Sequence, residues 1–345
     1  MSPLLTPTNS TSFPALPSTN ISPRFIIYAI IILMSIPLQQ TREWEQLQNQ
    51  LGETTFFQQT ADFTFLAILK KTRFLNYLYL PYGPVLNTKT AAKTAYKALL
   101  ALAKENNVSF IRIEPQDLKN ASYLLKLPNL RKSTDLNPAH TWLLDLEKPK
   151  EQIISDFAQG TRTRYNQSEK KGITITVSDN PDDIHPLVQL QHKLAREKGI
   201  NTFSEDYLRT ELAQPFASLY LAHYQVEGTD KIIAASLFFD YDGVRYYMQS
   251  ASDYDYRKLP SAVAILVSAI FDAKEKGLKA FDFWGIAPDD APKDHPWAGF
   301  TAFKKSFGGF ARTYAGTYDL ILNYPKYHLY NFARRLNRFI RKLKA

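Results

Sequence analysis

Three observations predict an α+β protein built from two like domains. At about 150 residues per domain, a chain of 345 residues holds two. Short apolar runs bounded by Gly, Pro, Asn or Asp read as strands, and stretches of helical period lie between them. The chain also contains an internal repeat: residues 103–113 (AKENNVSFIRI) align without gaps on residues 273–283 (AKEKGLKAFDF). Each copy reads as a helix end, a short turn and a buried strand. Asn107 in one copy and Gly277 in the other stand where a helix closes on a left-handed residue.

Residues 1–23 are rich in Ser, Thr, Pro and Asn, carry no charge and predict disorder. Residues 25–36 are apolar, but the run is shorter than the ~20 residues that span a bilayer. It also lacks the basic leader and small-residue cleavage site of a signal peptide. The expectation for residues 1–34 is therefore an uncleaved leader of no catalytic role, or translation that begins at Met34, rather than an anchor.

A first domain is expected over residues 35–145. It opens with a polar helix at 39–50, followed by strands at 54–57, 63–70 and 76–82, the last stopped by Pro81-Tyr82-Gly83-Pro84. A helix at 90–106 presents Ala95, Leu99, Leu102 and Ala103 on its apolar side, and strands at 108–113 and 141–146 close this half. The second domain, over 146–322, begins with a helix at 150–171 carrying Ile153, Ile154, Phe157 and Ala158, and Gly172 ends it. A strand at 173–177 and a helix at 181–198 follow. Strands at 219–225, 232–241 and 244–250 are joined by Gly228-Thr229-Asp230 and Asp242-Gly243 turns. A helix at 260–276 has Pro260 in its first turn, and strands at 281–286 and 310–322 finish the half. A C-terminal helix at 323–345 is expected to complete the first domain.

Cysteine is absent, which excludes disulfides, thiol nucleophiles and thiolate metal sites. A formal charge of +9 favours an anionic partner: nucleic acid, an anionic membrane or a phosphorylated small molecule.

The chemistry gathers around residues 281–286 (FDFWGI) and 303–309 (FKKSFGG). Asp282 sits in a core strand, where an acid is costly unless it is bonded. Phe303 and Phe307 share a helical face and anchor the edge that presents Lys304 and Lys305. The intervening polar loop carries Asp289, Asp290, Asp294 and His295. Clustering in one loop is a weak metal signal, and no metal is expected.

These motifs resemble the FemABX family, the aminoacyl-tRNA-dependent peptidyltransferases that build peptidoglycan cross-bridges. Three earlier motifs match it in order: Leu38-Gln39-Gln40 with Trp44, residues 80–85 (LPYGPV), and residues 162–166 (RTRYN) followed by Lys171-Gly172. The resemblance spans roughly residues 36–322. It implies twin acetyltransferase-like (GNAT) domains around a cleft. With no sustained heptad pattern, the chain resembles the compact members that lack a coiled-coil arm. The implied activity is transfer of an amino acid from aminoacyl-tRNA to the stem peptide of a peptidoglycan precursor, either lipid II or the UDP-linked muropeptide. The implied place is the cytoplasm, with no cofactor beyond the tRNA co-substrate.

Peptide-bond formation from an activated ester needs an anchored acceptor, a neutral amine and a stabilised oxyanion. The resemblance makes Lys304 the first candidate for stabilising the transition state or placing the donor's terminal phosphate, with Lys305 behind it. The bland reading of both is a solvated pair. Asp282 is a candidate to take the amine's proton, against a structural role in its strand. Arg162, Arg164, Tyr165 and Asn166 form a polar cluster suited to a pyrophosphate. Arg164 is favoured by the family's pattern, and the alternative is a basic last turn facing the helix dipole. Tyr247, Tyr256 and Arg257, with Tyr254, are candidates to orient the muropeptide or to pack as core and edge. Glu114, at the end of the other repeat's strand, is a looser candidate for the cleft wall. In residues 257–262 (RKLPSA), Pro260 stands where a coenzyme A-binding loop needs a glycine N–H, which argues against that cofactor.

The tail from Lys326 holds Arg334, Arg335, Arg338, Arg341, Lys342 and Lys344 and no acid. Leu329, Phe332, Leu336, Phe339, Ile340 and Leu343 recur at helical spacing. This reads as a helix that binds a membrane surface or phosphate backbone, or one whose apolar stripe packs on the first domain. Two other functions stay open on sequence: an acyl-CoA-dependent GNAT N-acyltransferase, and a non-catalytic membrane-surface or RNA-binding protein.

Overall fold

The computed structural model describes residues 36–198 and 202–344, so the expectations for residues 1–34 fall outside it. A 3-10 turn (Leu38–Gln40) leads into α1 (Arg42–Gln50), which starts where the Thr41 hydroxyl accepts a bond from the Trp44 N–H. Strands β1 (Thr54–Gln59), β2 (Phe63–Lys71) and β3 (Asn76–Leu80) run antiparallel in order, and the short β4 (Val85–Leu86) also pairs with β2. Helix α2 (Ala91–Glu105) crosses over to β5 (Val108–Ile113), which lies parallel to β3. Helix α3 (Leu118–Leu124) and β6 (Leu130–Lys132) come next, and then β7 (His140–Asp145).

Where one helix was expected over 150–171, there are two: α4 (Lys150–Asp156) and α5 (Gln159–Ser168). Phe157 and Ala158 between them are extended. The break drives the Phe157 ring into the core against Phe307, with ring centres 5.4 Å apart, and the Ala158 N–H donates to Ser306 O. Burial of a whole aromatic side chain outweighs the few backbone bonds that an unbroken helix would keep.

β8 (Thr174–Ser178), α6 (His185–Lys198) and α7 (Glu205–Leu212) precede a three-stranded meander, β9 (Ala217–Val226), β10 (Thr229–Tyr241) and β11 (Val244–Ser252). Helix α8 (Ser261–Glu275) crosses to β12 (Ala280–Gly285), parallel to β11. A short α9 (Ala298–Lys305), β13 (Phe310–Thr313), β14 (Tyr318–Ile321) and α10 (Tyr324–Lys344) end the chain.

There are two mixed sheets, ordered β1-β2-β3-β5-β14-β6 and β13-β7-β12-β11-β10-β9-β8. Both repeat copies therefore do the same job. Each is the end of a crossover helix and a strand that pairs parallel to an earlier strand of its sheet, β3 in the first copy and β11 in the second. Asn107 and Gly277 close α2 and α8 with φ of 51° and 77°. In the second sheet the parallel pair holds for only three residues, Val244 to Tyr246 against Ala280 to Asp282, and then splays.

The halves exchange strands, which linear reading does not reveal. β7, expected to close the first half, pairs with β12 and β13 in the second sheet. The single strand expected at 310–322 is two. β13 stays in the second sheet, and β14 crosses to lie between β5 and β6. A buried ion pair fixes that crossing: Arg112 on β5 holds Asp319 on β14 through Nε and Nη2 at 2.7 and 2.8 Å, and Ser133 and Tyr327 donate to the same carboxylate.

Candidate active site

Each sequence motif turns out to be one half of a contact. Gln40 is fully buried. Its amide donates to Pro81 O at 2.7 Å and Leu66 O at 3.3 Å, and its carbonyl accepts the Leu66 N–H at 2.9 Å. A Cβ on Gly83 would lie 2.3 Å from Gln40 Cδ, so the Leu-Gln-Gln turn and the Pro-Tyr-Gly-Pro turn need one another. Tyr82 then projects edge-on to Trp284, 5.7 Å between centres, and Trp284 also meets Tyr246 at 6.0 Å.

Trp284 sits in a bulge of β12 with φ 65°, a conformation rare for a bulky residue. Asp282 holds the bulge. Its Oδ1 accepts the Trp284 N–H at 2.7 Å and the Thr141 hydroxyl from β7. Burial raises the Asp282 pKa to about 6 against these two bonds and the nearby Arg312 and Lys304 charges. The side chain thus has structural partners, and its charge acts on Lys304 from below the site.

The FKKSFGG segment ends α9. Phe307 is fully buried, edge-on to Phe303 and Phe157 and tilted against Phe283. Gly309, at φ 97°, turns the chain into β13, and a Cβ there would stand 2.1 Å from Leu143 O. The anchored helix end sends its two lysines apart. Lys305 turns outward to Asp289 at 3.0 Å and lies over the Trp142 ring. Lys304 turns inward, where its ammonium donates to Gly285 O at 2.6 Å. Burial pushes the Lys304 pKa down to about 8, and the Asp282 carboxylate opposes the shift.

Lys304 opens into a cleft of about 490 Å3 between the two sheets. Gln39, Trp44 and Gln48 line it from the N-terminal turn and α1, Lys70 from β2 and Tyr79 from β3. Tyr207 and Glu211 come from α7, Met248 and Gln249 from β11, and Trp284, Trp297 and Phe300 from the FDFWGI side. Glu114 lies behind this wall. It accepts from Tyr79 Oη at 2.6 Å and Asn137 Nδ2 at 2.9 Å, and it thereby sets two residues that do face the cleft.

The other sequence candidates lie elsewhere. Arg162 donates to Ser155 O and Phe157 O and so closes α4. Arg164 and Asn166 are exposed on α5, and Tyr165 packs near Phe271. Tyr247 stacks on Phe238 in the core of the second sheet, Tyr256 packs against Tyr224, and Arg257 lies over Tyr254. None of these lines the cleft. At β11 the register with β10 shifts at Met248, so Met248 and Gln249 both reach the cleft while Tyr247 keeps to the core. Sequence reading passed over α7, although Ser204 as N-cap, two acids in the first turn and Leu208 and Leu212 four apart announce it.

Comparison with known proteins gives this arrangement relatives. Residues 219–335 match the model of the FemAB family. A lipid II:glycine glycyltransferase of Staphylococcus saprophyticus is 23% identical over 83% of this chain and 86% of its own length. The protein of that name from Staphylococcus epidermidis is 34% identical over 84 residues, 24% of this chain and 20% of its own. The crystal structure of FemX superposes with a TM-score of 0.75 at 16% identity, over 90% of this chain and 98% of that one.

The chain resembles the FemABX family, and residues 219–335 carry the FemAB pattern.

The chain has GNAT-like architecture, and the relatives it matches are named as transferases. A tandem GNAT protein of the clavulanic acid pathway shares its fold, with a TM-score of 0.52 at 9% identity over 86% of this chain and 95% of that one.

Proposed function

We propose that this protein transfers an amino acid from aminoacyl-tRNA to the stem peptide of lipid II, forming an interpeptide bridge. The single observation that carries the reading is Lys304, a partly buried lysine turned into a cleft between two GNAT-like halves. Below pH 8 its ammonium is charged and shielded from water, where it offsets the charge that develops on an ester carbonyl oxygen. The relatives named lipid II:glycine glycyltransferase support a muropeptide acceptor. The UDP-linked muropeptide is the second acceptor to test. Arg164, exposed on α5, remains available to an anionic part of either substrate.

The reading requires no metal and no coenzyme A. Pro260 caps α8 and brings no N–H to the helix start where a pyrophosphate would need one.

Helix α10 gives the same reading a place to act. It docks through Tyr327 and Tyr330, which pack on Phe110. Its apolar stripe points away from that contact: Leu329, Phe332, Leu336 and Ile340 are 51, 65, 47 and 40% exposed. The helix carries seven lysines and arginines from Lys326 onward and no acid. An exposed apolar stripe flanked by cations complements an anionic lipid surface, the cytoplasmic leaflet in which lipid II is presented. No described helix is long and apolar enough to cross a membrane.

The test is transfer of labelled amino acids from a charged tRNA pool to lipid II and to the UDP-linked muropeptide, with wild type and Lys304→Ala. Product with wild type and a loss of at least ~100-fold in the variant, equivalent to ~2.7 kcal/mol of transition-state stabilisation, is the expected result. No product with either acceptor across all amino acids, or full activity of Lys304→Ala, would refute it.

A further inference from the structure

The cleft that Lys304 lines also holds an acid that nothing above explains. Glu211 lies on α7, and its side chain is 1% exposed. Its Oε2 has no hydrogen-bond partner, although native interiors rarely leave such an atom unpaired. The residue nevertheless lines the cleft, beside Tyr207 and opposite the FDFWGI wall. The same cleft presents Trp44, Ile68, Tyr79 and Met248, whose surfaces suit an alkyl chain, beside the polar Gln39, Gln48 and Gln249. A buried carboxyl with an unpaired oxygen in a cleft that also offers apolar walls has the composition of a site for a primary amine.

We propose that Glu211 receives the acceptor's amine and takes its proton. The inference rests on the aminoacyl-transfer reading. In the carboxylate form, Oε2 accepts a proton from the incoming alkyl ammonium and leaves a neutral amine and a neutral acid. The amine nitrogen attacks the carbonyl carbon of the donor ester, and a C–N bond forms. The ester C–O bond breaks, and the departing ribose oxygen takes the amine's second proton. The ammonium of Lys304 stabilises the oxyanion between these steps. No oxidant or cofactor is required.

The pKa of Glu211 agrees with that role. Burial raises it to about 8, and the contact with Tyr207 pulls it only slightly back. A base is most effective when its pKa lies near the working pH. The other titratable groups of the cleft are Tyr207 on the same helix, Lys70 on β2, Tyr79 on β3 and Lys304 on α9. Lys70 is already paired with Glu53 at 2.5 Å, and burial holds the Tyr79 and Tyr207 hydroxyls neutral. That leaves Glu211 as the cleft acid free to exchange a proton with a ligand.

The experiment compares wild type, Glu211→Gln and Lys304→Ala in the transfer assay from pH 6 to 9.5, with thermal melts as folding controls. Glutamine keeps the size and polarity of the side chain and removes the base. The expected result is a kcat at least 100-fold lower in Glu211→Gln, an unchanged KM for the tRNA donor, and loss of the rise in rate that wild type shows as pH climbs towards about 8. Activity of Glu211→Gln within fivefold of wild type, with the same pH profile, overturns the assignment and leaves the transfer reading intact. An inactive wild type overturns the transfer reading instead. A second measurement then decides Glu211 on its own: binding of n-butylammonium chloride, followed by saturation-transfer NMR. Binding to wild type and not to a folded Glu211→Gln supports the site; equal binding, or none to wild type, overturns it.

Discussion

Replacing Lys304 by Met isolates what its burial costs the fold. Methionine has a similar length and no charge, so packing along the stem is kept while the titration is removed. The Lys304 amine titrates near pH 8 in the folded protein and at 10.5 when free. At about 1.4 kcal/mol per pH unit, keeping it charged in the cleft costs roughly 3 kcal/mol at pH 7. The cost is fully present below pH 8, where the folded amine is charged. It fades as pH rises and is gone above 10.5, where the unfolded amine is neutral too. At pH 10 only about 1 kcal/mol remains. Losing the bond to Gly285 O adds a term in the opposite direction that does not vary with pH in the same way. Urea unfolding of wild type and Lys304→Met at pH 7 and pH 10 therefore has a definite expectation: wild type gains about 2 kcal/mol relative to the variant between the two. A difference that stays constant would mean that Lys304 is solvated, and the argument for a shielded cation in the cleft would fail.

Gly309→Ala forces a Cβ against Leu143 O and a side chain into φ 97°, and a loss of about 3 kcal/mol or more in urea unfolding is expected; an unchanged midpoint would contradict the close approach. Gln40→Ala strips Leu66 N–H and Pro81 O of their partner in a fully buried place, a loss of about 3 kcal/mol that a melting curve reads directly. Phe332→Asp with Leu336→Asp is expected to abolish sedimentation with phosphatidylglycerol vesicles and leave the melting temperature unchanged, since both side chains are exposed. Equal sedimentation of wild type and variant would remove α10 from the membrane.

Much of this protein was legible in its sequence because the deciding signals are local. The apolar runs of β2, β5 and β10, the turn at Asp242-Gly243 and the left-handed closures at Asn107 and Gly277 are set by residues a few positions apart. The internal repeat marked a helix–turn–strand unit that recurs in both sheets, each time with a parallel strand pairing. The divergence of Lys304 and Lys305 follows from helical geometry alone, once Phe303 and Phe307 are fixed as anchors.

Tertiary structure decided what depends on partners far along the chain. Helix 150–171 breaks because Phe157 finds Phe307 some 150 residues later, and local propensity contains no term for that. β14 leaves its own half because Arg112 requires Asp319. The cluster at 162–166 and the tyrosines after β11 carry the right chemistry, but strand register and helix packing turn them from the cleft that Lys304 faces. Glu211 is the reverse case. Its sequence neighbours mark only a short helix, and its meaning arises where α7 carries a carboxyl into the cleft that Lys304 also lines and leaves one oxygen unpaired. Residue types fix what a side chain can do; burial and orientation, which only the assembled sheets supply, fix whether it does it there.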